Sequence, residues 1–196
     1  VRGRDSAGLM LLVSGHGLDL DDATIAAQLA ERGGDPLFTA GAVRVTPEGH
    51  LSFVYKAAAE IGELGDNTAV LRAAIAGDAL LHRALAADAA ECTVLGHTRW
   101  ASIGIISQPN AHPMNSDETG RADGPYVTAA LNGDVDNFAD LIADSKLQIP
   151  AGVTTDAKVI PTLIRRSLEN GRGVDEAILE TMPLLDGSVA IGVNVV

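Results

Sequence analysis

The longest apolar runs in this chain, such as Leu9 to Val13, are the length of a short strand. Runs that short cannot cross a bilayer, which takes about 20 consecutive apolar residues in a helix. They have to be stacked into a layered core. What fills that core is restricted further. Apolar residues make up 46% of the 196 residues and aromatics only 3%, so Ala, Val, Leu and Ile do the packing. Short buried strands covered by helices suit such a composition, and the length favours a single domain.

The elements have legible boundaries. Ser6 to Val13 reads as a strand bounded by Gly15 and Gly17, and Asp21 to Arg32 as a helix ended by Gly33-Gly34. Ala42 to Thr46 and Leu51 to Lys56 are strand-like runs joined by a hairpin signal, Pro47-Glu48-Gly49. Asn67 to Ala87 predicts one or two helices, interrupted at Gly77-Asp78. Cys92 to Leu95 reads as a buried strand, followed by a long loop from Thr98 to Gly124. Tyr126 to Leu131 predicts a strand ending at Asn132-Gly133, and Asp134 to Lys146 a helix. Asp156 to Glu169, with a kink or short first turn at Pro161, and Val174 to Met182 predict two more helices. Ser188 to Val195 reads as a closing strand. Mixed strands, hairpins and helix pairs point to a layered α/β or α+β domain.

A net charge of −12 and a pI near 4.6 argue against nucleic acid, which requires clustered Lys and Arg. The acids are scattered, as on a solvated surface. One cysteine excludes an internal disulfide, and no Cys/His spacing suggests a zinc or other metal site. A reducing cytoplasm fits best, with no cofactor, no membrane span and no visible signal peptide. The chain opens without Met inside what reads as a motif and stops on a strand-like Val193-Asn194-Val195-Val196, so both ends read as cut.

Several short stretches carry chemistry, each with an ordinary alternative. Arg99-Trp100, in Leu95-Gly96-His97-Thr98-Arg99-Trp100-Ala101-Ser102, is either a carboxylate clamp at a strand end or a surface Arg beside a half-buried Trp. Asn132-Gly133 is either a type I′ turn or a strand end where an amide and a backbone N–H meet a developing oxyanion. Thr154-Thr155-Asp156 is either a helix cap or a carboxylate presented to an ammonium group. Asn110-Ala111-His112-Pro113 reads as an ordinary turn. Ser6 lacks the Gly-x-Ser-x-Gly frame of a hydrolase nucleophile.

Taken in order, Arg2-Gly3-Arg4-Asp5-Ser6-Ala7-Gly8, then GHTRWAS, NAHP, a strand ending in NG with Asn137 in the next turn, and TTDAKVI resemble the class II glutamine amidotransferases. These belong to the N-terminal-nucleophile hydrolase superfamily. The resemblance is greatest to the glutaminase domains of glutamine–fructose-6-phosphate aminotransferases, and less to the phosphoribosyl-amidotransferases, which have Arg-Tyr for Arg-Trp. It covers nearly all of residues 1–196 except a helical insertion at about 14–41.

The resemblance implies an α+β fold, a four-layer αββα sandwich. It assigns the α-carboxylate of L-glutamine to Arg99, with neighbouring contacts from Trp100 and Ser102, and the α-ammonium to Asp156. It makes Asn132 and Gly133 the oxyanion donors and places Arg2 and Gly3 beside the nucleophile. That nucleophile, an N-terminal Cys with its free α-amine as base, falls ahead of Val1 in the family's spacing. Cys92 is no substitute and reads as a small buried core residue. Ile103 stands where the family usually has His, removing one contact near the substrate carboxylate. The implied activity is a glutaminase half-reaction whose ammonia passes to a C-terminal sugar-phosphate isomerase-type domain, with room for a homodimer. The rival reading is an inactive glutamine-binding or structural copy of the fold.

Overall fold

The computed structural model describes residues 5–58, 66–100, 103–121 and 123–196. Strand β1 (Ser6–Ser14) is central to the first sheet, pairing antiparallel with β3 (Leu51–Ala58) on one side and β4 (Glu91–Arg99) on the other. The short β2 (Val43–Val45) extends the sheet past β3, giving the order β2-β3-β1-β4. Between β1 and β2 lies helix α1 (Ala23–Gly33), which Asp22 caps through its carboxylate at the N–H groups of Thr24 and Ile25. Helices α2 (Asp66–Gly77) and α3 (Ala79–Leu85) follow β3, parted at Asp78, whose carboxylate caps α3.

The second sheet has the order β5-β6-β7, all antiparallel, from Met114–Asn115, Val127–Val135 and Gly187–Val195. Helices α4 (Phe138–Asp144), α5 (Val159–Glu169) and α6 (Val174–Thr181) cover it. Pro161 lies in the first turn of α5, after a 3₁₀ turn at Asp156–Lys158, where its missing N–H costs no helical bond.

Alternation along the strands builds four layers. Ala7, Leu11 and Val13 of β1 and Leu51, Phe53, Tyr55 and Ala57 of β3 pack on Ile25, Leu29, Leu71, Leu80 and Leu81 of the first three helices. Val127, Ala129, Leu131 and Val135 of β6 do the same against Leu141, Val159, Ile160, Leu163 and Ala177. The opposite faces of the two sheets meet each other. Ser52 of β3 bonds the Tyr126 hydroxyl at 3.2 Å, Val54 packs with Phe38 and Tyr126, and Leu95 of β4 lies against Gly192 of β7. The order helices, sheet, sheet, helices is the αββα sandwich, and strands covered on both faces explain the nearly unbroken apolar runs.

Two expectations need correcting. β4 is the edge strand of its sheet, bonded on one side to β1 alone. Residues 91–94 are consecutively exposed, so neither face is covered there; Cys92 is an exposed thiol, not a core residue. The second concerns Asn132-Gly133, which is neither a turn nor a strand end. β6 continues through it to Val135, with Asn132 opposite Ala190 and Gly133 opposite Val189. Gly133 has φ +134°, and the carbonyl oxygen of Ser188 occupies the place a Cβ would take, so only glycine fits this point of the ladder.

Candidate active site

Arg99 ends β4, opposite Ser6 of β1, and its backbone carbonyl accepts from Asp5 N–H at 3.2 Å. The expectation of a surface Arg beside a half-buried Trp is reversed: Arg99 is 5% exposed and Trp100 is 73% exposed. Strand alternation sends Arg99 inward between the sheets and its successor outward. The Arg99 Nη2 donates to the Ile103 carbonyl and reaches Thr155 Oγ1 at 3.5 Å, while Nη1 is buried without a hydrogen-bond partner among the described residues. Burial pulls this guanidinium below its ordinary pKa, against the opposing pull of Asp156, Asp5 and Asp134.

Asp156 is buried in the 3₁₀ turn that precedes α5. The cap reading fails for Thr155, which makes no side-chain cap bond. Its hydroxyl instead donates to Asp156 Oδ1 at 3.2 Å, and Val135 N–H donates to Asp156 Oδ2 at 2.7 Å. Val135 lies three residues along β6 from Asn132, so the strand carrying Asn132 and Gly133 is bonded to the acid. Asn132 and Gly133 are themselves exposed. Arg2, Gly3 and Ser102 lie outside the described residues.

Between the sheets lies a basic cluster that motif reading did not assign. Gly8 of β1 is flanked by Lys56 on β3 and His97 on β4. The His112 carbonyl sits over Gly8 where a Cβ would be. The His112 ring packs 4.8 Å from that of His97 and accepts from Leu131 N–H at 3.3 Å. Lys56 Nζ, His97 Nδ1 and His112 Nε2 are buried without hydrogen-bond partners among the described residues. Burial, reinforced by His97, Arg99 and Lys56, holds His112 well below the usual histidine range; burial and then Arg99 lower His97. Burial, with Lys158 adding repulsion, brings Lys56 down to about 7. The signal was present in GHTRW and NAHP, but one histidine on a strand and another in a distant loop give no hint that they will stack.

No family model matches the chain. Among curated proteins, it is 38% identical over 99 residues to a glutamine–fructose-6-phosphate aminotransferase of Bacillus thuringiensis, covering 50% of this chain and 15% of that protein. The enzymes of the same name from Halalkalibacterium halodurans and Geobacillus kaustophilus are 35% and 36% identical over 97 residues, with the same coverage. Half of this chain is homologous to glutamine–fructose-6-phosphate aminotransferases.

The chain thus spans about 15% of the length of these relatives. Among solved structures, an allosteric regulatory enzyme of purine biosynthesis matches with a TM-score of 0.49 at 18% identity, covering 95% of this chain and 35% of that one. The glutamine phosphoribosylpyrophosphate amidotransferase of B. subtilis matches with a TM-score of 0.48 at 16% identity and the same coverage. No helix among the described residues is long and apolar enough to cross a membrane.

Proposed function

We propose that residues 1–196 are a glutamine amidotransferase domain, carrying a helical insertion at 14–41, in a longer cytoplasmic protein. The observation that carries this reading is the meeting of two buried opposite charges. Arg99 keeps an unpartnered Nη1, and Asp156 lies one hydroxyl away. An α-amino acid presents a carboxylate and an ammonium on one carbon, so such a pair selects it over a simple amide. The name of the relatives, glutamine–fructose-6-phosphate aminotransferase, supports L-glutamine as that amino acid.

In the proposed reaction Arg99 holds the α-carboxylate and Asp156 the α-ammonium, with Trp100 and Ser102 closing over the ligand. An N-terminal Cys of the full-length protein, supported by Arg2 and Gly3, attacks the γ-carboxamide carbon. The thiol proton passes through the α-amine to the amide nitrogen, the C–N bond breaks, and ammonia leaves a γ-glutamyl thioester. Asn132 and Gly133 stabilise the oxyanion of each tetrahedral intermediate. Water then cleaves the thioester to glutamate and restores the thiol, while the ammonia goes to a sugar-phosphate isomerase-type domain.

The test is glutamate release from L-glutamine by the full-length protein with its native N-terminus. Turnover that disappears when the N-terminal Cys is replaced supports the enzyme. Binding of L-glutamine without turnover identifies an inactive glutamine-binding copy instead. No binding at all overturns the enzyme and the glutamine-binding copy and leaves a purely structural copy of the fold.

A further inference from the structure

Asn110 is wholly buried, at the end of a 3₁₀ turn spanning Gln108–Asn110. Its Oδ1 accepts from the backbone N–H groups of Thr154 at 2.7 Å and Thr155 at 3.1 Å. Its Nδ2 lies 3.1 Å from the Ile105 carbonyl, 3.1 Å from Ser107 Oγ and 3.0 Å from Thr154 Oγ1. Two N–H groups serve three acceptors, so the amide is fully committed. Ile105 and Ser107 belong to the segment after Arg99, whose Ile103 carbonyl takes Arg99 Nη2. Thr154 and Thr155 lead directly into Asp156. One side chain therefore joins the two arms that carry the opposite charges.

Two weaker contacts run beside it. Ile105 N–H lies 3.4 Å from Thr154 Oγ1, and Gly104, at φ +84°, packs so that a Cβ would lie 3.0 Å from the Thr154 carbonyl oxygen. The path is closed: Arg99 to Ile103, through Asn110 to Thr154 and Thr155, to Asp156, and back through the Thr155 hydroxyl to Arg99.

We propose that Asn110 is a positioning residue that sets the separation of Arg99 and Asp156, and with it the preference for a ligand bearing both an α-carboxylate and an α-ammonium. The inference rests on the glutamine reading above. Buried opposite charges attract strongly, and a direct ion pair would consume both clamps. Among the described residues Arg99 and Asp156 form no such pair; only the Thr155 hydroxyl links them. Holding them apart requires a fixed spacer between the two arms, which the Asn110 amide supplies through Ile105 and Ser107 on one side and Thr154 and Thr155 on the other. A neutral amide suits this task, because it binds backbone donors and acceptors on both arms without supplying a competing charge. The clamps are then set before the ligand arrives, and little ordering remains to weaken binding.

The experiment uses the full-length protein and two probes, L-glutamate, which carries both α-charges, and glutarate, which lacks the ammonium. The wild type is expected to prefer L-glutamate. Asn110→Ala should raise the L-glutamate Kd roughly tenfold while shifting glutarate far less, so that the ratio of the two falls. Thr154→Val, an exposed site that keeps its backbone N–H and loses the hydroxyl, should lower the ratio by a few-fold. If Asn110→Ala does not fold, Thr154→Val decides alone. A variant that melts earlier but keeps the wild-type ratio makes Asn110 a purely structural residue and overturns the inference. A wild type that binds neither probe overturns the glutamine reading, which is a separate result from selective binding that ignores Asn110.

Discussion

The hydroxyl of Thr155 stands between Arg99 and Asp156, 3.5 Å from the guanidinium Nη2 and 3.2 Å from the carboxylate Oδ1. It donates its single proton to the acid and offers a lone pair to the guanidinium. A buried charge at the end of β4 and another in the turn before α5 are thereby placed side by side without neutralising each other directly. In the proposed reading, a zwitterionic amino acid entering between them would meet Nη1, which has no hydrogen-bond partner among the described residues, on one side and a carboxylate on the other.

Arg99→Lys in the full-length protein should raise KM for L-glutamine with little change in kcat. Lys keeps a positive charge but lacks the fork that holds the Ile103 carbonyl and Thr155 while leaving Nη1 for a ligand. Initial rates of glutamate release across glutamine concentrations measure it. A fall in kcat at unchanged KM would remove Arg99 from the carboxylate-binding role.

Asn132→Ala should lower kcat by roughly 10²–10³-fold with KM nearly constant, since an oxyanion donor acts on charge that develops during attack. Asn132 is exposed within β6, so the melting point should move little, within about 0.5 kcal/mol of the wild-type stability. Normal turnover per folded molecule would show that Asn132 serves the strand and not the chemistry.

Lys56→Met should stabilise the fold and flatten its pH dependence. Folded Lys56 sits at about 7, while the unfolded group has its ordinary value of 10.5. Between those values the unfolded chain binds the extra proton, so wild-type stability rises with pH across that window, by up to roughly 1.4 kcal/mol per pH unit. Below about 7 the buried charge exerts its full penalty, and there the variant should gain most. Thermal melts at either end of the window measure both effects; a variant less stable than wild type at neutral pH would show that the contact of Nζ with the Phe38 ring, 5.0 Å to its centroid, outweighs burial.

Gly8→Ala should destabilise by roughly 1–3 kcal/mol, because the added methyl must displace the His112 carbonyl that fills its place. Gly77→Ala, at the end of α2 with open space around the new methyl, should be neutral or slightly stabilising. Denaturant titrations of the two variants compare them directly. Equal effects would mean that the close approach at Gly8 is accommodated by backbone movement.

The strand and helix runs were legible because each carries its own period and its own stop signals. Asp22 ahead of Ala23 and Asp78 ahead of Ala79 cap their helices through local carboxylate contacts. The order of GHTRW, NAHP and TTDAK is likewise written in the chain itself. What neighbours do to a residue is absent from that record. Val94 and Cys92 read as core but lie on an edge strand, since nothing in their own stretch says whether another strand pairs beyond them. Asn132-Gly133 has the composition of a turn, yet pairing with Ala190 and Val189 of β7 carries the strand through it. The stacking of His97 on His112, the burial of Lys56 and the meeting of Arg99 with Asp156 join residues separated by up to dozens of positions. They arise only when two sheets close face to face, because the contacts that decide them are made across the sandwich and not along the chain.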